Sequence, residues 1–146
     1  MSNKERVSRL DCGNCERFSH DGAPYAAGHT TLPHSFLYAA RGIGYAVVTQ
    51  RNMKIHLAFA VLAIVLGVWL RIDAHSWAAV AICIALVTAT ECMNTAIELI
   101  VDAVSPGYSE FARHAKDCAA GCVLLCALGS VAVAIAVFGG PLLALL

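Results

Sequence analysis

From Trp77 the chain is apolar for more than three helical turns, and the run then continues into Thr90-Glu91-Cys92-Met93-Asn94-Thr95-Ala96-Ile97-Glu98-Leu99-Ile100-Val101-Asp102. Such a stretch suits a bilayer, yet its second half carries three carboxylates and an amide. At the helical repeat, Glu91, Asn94, Glu98 and Asp102 fall within an arc of about 80°, while Leu99, Ile100 and Val101 point elsewhere. An acidic stripe on an apolar helix is costly and needs partners, water or a ligand.

Two further apolar runs flank this one. Arg51-Asn52-Met53-Lys54-Ile55-His56 leads into Leu57–Leu70, and a later run extends from Cys118 to Phe138. Apolar residues make up 59% of the 146 and charged residues 14%. A soluble domain is nearer half and a quarter, so the class is an integral membrane protein. The formal net charge of +0 speaks against a nucleic-acid binder. The predicted architecture is all-α, with an amphipathic surface helix over about 35–50 and transmembrane spans over about 54–71, 77–104 and 112–138. Ser105-Pro106-Gly107 is expected to break the second span, and Gly139-Gly140-Pro141 to end the third.

Seven of the ten Lys and Arg lie in residues 1–54, Arg113 and Lys116 lie between the second and third runs, and no basic residue follows. The positive-inside rule therefore puts the N-terminus and the 103–116 loop in the cytoplasm. The polar N-terminus is no cleavable signal. Residues 1–34, with Pro24, Pro33 and Asp21-Gly22, read as a flexible cytoplasmic tail ahead of a membrane domain over 35–146. Within the tail, Cys12-x-x-Cys15 with His20, His29 and His34 is a weak zinc signal, because structural zinc sites use tighter paired spacing. Cys118, Cys122 and Cys126 recur every four residues beside Gly121 and read as close helix packing rather than a metal row.

Two carboxylates and an amide near a membrane surface can hold Mg²⁺, which prefers oxygen ligands and shares them with phosphates. A remaining carboxylate can serve as a general base for a hydroxyl. Lys116, beside Asp117 at the same level, can meet phosphate charge. Metal, base and cation are the parts of a phosphoryl-transfer site. No G-x-x-x-x-G-K-[ST] loop occurs, which excludes an ordinary P-loop. Intramembrane carboxylates also serve proton relays, ion paths and structural polar networks, and spacing leaves those open. Three spans are few to hide the stripe, which favours burial by self-association.

The pattern Glu91-x-x-Asn94-Thr95-Ala96-Ile97-Glu98-x-x-x-Asp102, followed by Ala115-Lys116-Asp117, resembles the signature of the bacterial diacylglycerol kinase/undecaprenol kinase family. Arg51-Asn52-Met53-Lys54-Ile55-His56 resembles its first conserved region, and the likeness covers roughly residues 35–140. The resemblance implies a homotrimeric bundle in the bacterial inner (plasma) membrane that transfers the γ-phosphate of ATP to a lipid alcohol at the cytoplasmic face, with Mg²⁺. It implies Glu91 as general base, Glu98 as metal ligand, Asn94, Lys116 and Asp117 as ATP contacts, and Asp102 as support for the nucleotide. Active sites would be shared between subunits. Relatives carry a metal-binding Glu where this chain has Gln50, and no acidic residue lies between Asp21 and Asp73 to replace it. A weakened or inactive kinase-like protein is therefore an alternative, beside a proton or ion pathway. The R-N-M-K-I-H form resembles the undecaprenol kinase branch, which favours undecaprenol over diacylglycerol.

Overall fold

The computed structural model describes residues 31–105 and 107–145. They form four helices, α1 (Leu32–Thr49), α2 (Arg51–Leu70), α3 (Ala74–Val104) and α4 (Glu110–Leu143), with no strand among the described residues. The chain divides into two compact units, Met1–Ser35 and Phe36–Leu146. Of the first, the described part is the start of α1, where Thr31 Oγ1 and His34 Nδ1 lie 2.6 Å apart. Pro33, read from sequence as a turn former, instead sits in the opening turn of this helix, where its fixed φ suits initiation. Cys12, Cys15, His20 and His29 lie outside the described residues, and so does nearly all of the expected tail.

Along α1, Leu32, Phe36, Ile43 and Val47 share an arc of about 60°, opposite Arg41 and Tyr45, as an amphipathic surface helix requires. The helix stops at one extended residue, Gln50 (φ −91°, ψ 122°), which is the N-cap of α2 but makes no side-chain cap. Its backbone N–H donates to the Ala46 carbonyl at 2.9 Å, leaving the side chain free to reach across the bundle.

Helices α2, α3 and α4 run 20, 31 and 34 residues and are long and apolar enough to cross a membrane. About twenty apolar residues suffice for a crossing. With 31 residues, α3 is longer than a crossing needs. The chain is a multi-pass all-α membrane protein. The turn between α2 and α3 is tight. Arg71 adopts the left-handed conformation (φ 51°), and Ile72 N–H returns to the Gly67 carbonyl at 3.2 Å. Gly67 is required by close approach, since a Cβ there would meet the Trp77 ring at 2.9 Å. Asp73 then caps α3. Its Oδ1 accepts from the His75 and Ser76 N–H groups at 2.8 and 3.2 Å, and its Oδ2 accepts from Ser76 Oγ at 2.7 Å. These donors, led by the Ser76 hydroxyl, hold the Asp73 carboxyl down at about 2.

The core is narrow. Val80 and Val87 of α3 pack in the same interior as Ala119, Val123 and Phe138 of α4, and α3 with α4 is the most extensive helix pair. Within one chain, close packing of α4 on α3 falls to Ala119 and Val123, while Cys118 and Cys122 are exposed and a Cβ on Gly121 would meet nothing within 4 Å. One sequence expectation changes here: the third span continues through Gly139-Gly140-Pro141 to Leu143. Pro141 lacks the N–H that would donate to the Val137 carbonyl, and with the helix ending two residues later the loss is confined to that one bond; Ala144 N–H still reaches the Gly140 carbonyl at 3.1 Å.

Candidate active site

Three elements supply the site. The break at Gln50 aims one amide inward, α2 brings Met53 and His56 within its first two turns, and the last half of α3 brings the acidic stripe. Met53 and Glu91 are each 1% exposed, and Asn94 and Thr95 are also buried. Thr95 Oγ1 donates to the Glu91 carbonyl at 2.8 Å, which ties down the hydroxyl without touching the carboxylate. A single chain therefore encloses the first half of the stripe, and the burial argument for self-association applies to the remainder only.

Glu98 is the junction. Asn94 Nδ2 donates to its Oε1 at 3.0 Å, and Gln50 Nε2 reaches its Oε2 at 3.4 Å. The first bond is a helical (i, i+4) contact; the second links positions 48 residues apart. Two neutral amide donors thus hold one carboxylate. Glu91 Oε2 and Asn94 Oδ1 are buried with no hydrogen-bond partner among the described residues. A buried acceptor without a donor is costly, by about 1–3 kcal/mol. Both orphaned atoms are oxygens, the donor type a hard divalent cation takes, but toward Glu98 both Gln50 and Asn94 present amide N–H groups.

The far end of the stripe is different. Asp102 is exposed and paired with Lys116 Nζ from the first turns of α4. Asp117 lies 3.9 Å from Arg113 one turn earlier on the same helix, with both side chains more than half exposed. The seven predicted residues thus divide into an inner group, with Glu91 and Asn94 buried and Gln50 and Glu98 half-buried beside them, and an outer group, with Asp102 and Asp117 exposed and Lys116 half-buried. Among the described residues, no cluster of three or more His, Cys, Asp and Glu side chains is arranged to hold a metal by itself.

His56 has a larger place than its sequence position suggests. It is half-buried and lines an apolar groove of about 310 Å³ between α2, α3 and α4. The signal available in the sequence was its place one turn after Met53 and six residues after Gln50 at a helix start, which spacing alone cannot separate from an interfacial histidine.

Known proteins match most of this chain. A family model described as prokaryotic diacylglycerol kinase matches residues 37–138. A diacylglycerol kinase of Synechocystis is 43% identical over 113 residues, 77% of this chain and 65% of that protein. An undecaprenol kinase of Bacillus subtilis is 33% identical over 104 residues, 71% of this chain and 85% of its own length. A diacylglycerol kinase of Escherichia coli K12 is 28% identical over the same coverage, 71% and 85%. The matched stretch begins within α1 and ends within α4, so it takes in every residue of the site. The chain belongs to the prokaryotic diacylglycerol kinase family.

Proposed function

We propose that this lipid kinase transfers the γ-phosphate of ATP to a membrane lipid alcohol, undecaprenol before diacylglycerol, at the cytoplasmic face of the inner membrane. The observation that carries the reading is the enclosed, unpartnered Oε2 of Glu91, set beside a carboxylate held only by amides. An ionised carboxylate oxygen without a donor is placed to accept a hydroxyl proton. In this reading Glu91 takes the proton of the lipid hydroxyl as that oxygen attacks the γ-phosphorus and the bond to ADP breaks. Glu98, with oxygens of Asn94 and Gln50, would hold Mg²⁺, which when bound neutralises phosphate charge. Asn94, Lys116 and Asp117 contact ATP and Asp102 supports the nucleotide. Lys116 then exchanges part of its pairing with Asp102 for phosphate oxygens, a trade between like charge-assisted bonds.

The same reading takes the membrane domain to be residues 35–146, with the N-terminus in the cytoplasm and 1–34 as a tail. The chain works as a homotrimer that encloses the surface half of the stripe. Purified protein in micelles, given ATP, Mg²⁺ and either lipid, should phosphorylate undecaprenol faster; no transfer to any lipid alcohol overturns the reading.

A second reading has its own observation. Gln50 presents its N–H to Glu98, so a donor stands where a metal site needs an acceptor. A kinase-like protein with weakened metal binding would bind ATP and turn over slowly. Gln50→Glu assayed beside wild type separates the two: a large gain in turnover supports the weakened kinase, and equal turnover supports the active one.

A further inference from the structure

Both oxygens of Glu98 are held by neutral amides. Asn94 Nδ2 donates to Oε1 at 3.0 Å, and Gln50 Nε2 donates to Oε2 at 3.4 Å. An ionised carboxylate only accepts, so each amide has to turn its N–H toward it. Both amide-bearing residues are anchored. Asn94 is buried one turn before Glu98 on α3. The Gln50 backbone N–H is bonded to the Ala46 carbonyl at 2.9 Å, and Ala46 and Met53 on either side of it are buried. No Asp or Glu occurs in residues 22–72, so α1 and α2 bring no carboxylate to Glu98. On α4, Asp117 is exposed and lies 3.9 Å from Arg113. Besides Glu91, the inner group therefore has one carboxylate, and its oxygens are already occupied.

We propose that Gln50 and Asn94 close Glu98 to a free divalent cation and open it to one that arrives on a nucleotide, so that each chain takes one cation with ATP and none without. This rests on the lipid-kinase reading above and adds to it an order of binding. A hydrated Mg²⁺ must push amide hydrogens off Glu98, and it keeps most of its waters. Those waters donate rather than accept, so the displaced N–H groups are left unpaired at a cost. A cation carried on a nucleotide brings phosphate oxygens with it. These are anionic acceptors, as the carboxylate is, and an N–H released from Glu98 passes to phosphate in a like charge-assisted bond. The amide oxygens stay available to the cation, and Asn94 Oδ1 is already buried with no hydrogen-bond partner among the described residues.

The test follows Mn²⁺ by electron paramagnetic resonance on the full chain in micelles, with and without a non-hydrolysable ATP analogue. With the analogue, wild type should hold one Mn²⁺ per chain, coupled to the phosphorus nuclei of the analogue. Without it, wild type should bind Mn²⁺ about 100-fold more weakly than Gln50→Glu, which offers a second carboxylate in place of an N–H. Gln50→Ala gives the decisive sign. Lost as a ligand, position 50 should weaken the binding of free Mn²⁺. Lost as a lock, it should tighten that binding about tenfold, the worth of one charge-assisted bond, while the affinity for the Mn²⁺-bound analogue falls. The proposal expects the second pattern. If Gln50→Glu fails to fold, Gln50→Ala carries the comparison alone.

Free Mn²⁺ bound by Gln50→Ala no more tightly than by wild type overturns the proposal. So does a wild type that binds Mn²⁺ without the analogue as tightly as with it, and so do two Mn²⁺ per chain in the presence of the analogue. A wild type that takes Mn²⁺ only with the analogue but phosphorylates no lipid alcohol sinks the kinase reading and leaves this one standing. A wild type that phosphorylates lipid while binding free Mn²⁺ tightly does the reverse.

Discussion

The two ends of the acidic stripe solve the problem of charge at a membrane in opposite ways. At the surface end, Asp102 has Lys116 and Asp117 has Arg113, and each pair is partly or mostly exposed. Pairs in that setting contribute little to stability, of order 0–1 kcal/mol, and exchange partners readily. At the inner end, among the described residues, no cation pairs with Glu98, which is held by Asn94 and Gln50, and Glu91 keeps an oxygen with no donor. The difference separates two jobs. The surface end can bind and release a charged ligand at small cost. The enclosed end retains unmet acceptors that only a bound hydroxyl or a cation would satisfy, which is where chemistry belongs.

Removing the unmet acceptor should have the largest effect. Glu91→Gln keeps the shape and the enclosure but cannot take a proton, and it should lower the turnover of lipid phosphorylation by about 10²–10⁴. ATP binding and the oligomer should persist. Turnover near wild type would remove Glu91 from the role of base and erase the distinction between the two ends. Next comes the surface end. Lys116→Ala should lower kcat/KM for ATP by about 10–100-fold, the range for a charge-assisted bond. Melting should barely move, because the exposed pair with Asp102 holds little of the fold. A drop in melting with unchanged ATP kinetics would make Lys116 structural instead.

Much of this fold is written in periodicity and charge. The three apolar runs appear as α2, α3 and α4, and the arc holding Glu91, Asn94 and Glu98 does face one interior. Helical phase carries that information, and no partner is needed to read it. What phase cannot carry is depth. Glu91 and Asp102 share one face, yet one is enclosed and the other exposed, because α2 and α4 cover the stripe unequally. Pairings across the bundle were equally hidden. Gln50 meets Glu98 only because one extended residue separates α1 from α2. Small residues at equal spacing are equally silent on their partner: Cys118 and Cys122 repeat as Ala119 and Val123 do, and a rotation of one position decides which pair packs within the chain.

The enclosed end also offers a finer probe. Gln50→Glu puts a second carboxylate against Glu98, so the two should share a cation and tighten the Mg²⁺ dependence of activity by about tenfold. Without the cation the pair repels, and the variant should melt below wild type until Mg²⁺ is added. An unchanged Mg²⁺ titration would show that position 50 takes no part in binding the metal.

The smallest effect lies at the opposite end of α3, where Asp73 is a control for charge that serves structure alone. The Ser76 hydroxyl and the Ser76 and His75 N–H groups favour its ionised form and hold it at about 2, below the ordinary 3.8. The sign follows from linkage: a carboxyl whose value is lower in the folded state stabilises the fold at pH above the ordinary value and loses that contribution as pH falls through the folded one. The capping contribution should therefore be complete at pH 5 and fade between about pH 4 and 2. Asp73→Ala should melt slightly below wild type at pH 7, and the gap should close over that acid window. Lipid phosphorylation at neutral pH should be unaffected, since Asp73 and the acidic stripe sit at opposite ends of one helix. A gap that stayed constant down to pH 2 would show that the carboxylate's charge adds nothing to the cap. A loss of turnover in Asp73→Ala would show instead that the α2–α3 turn is coupled to the site, and the division between structural and chemical charge would no longer hold.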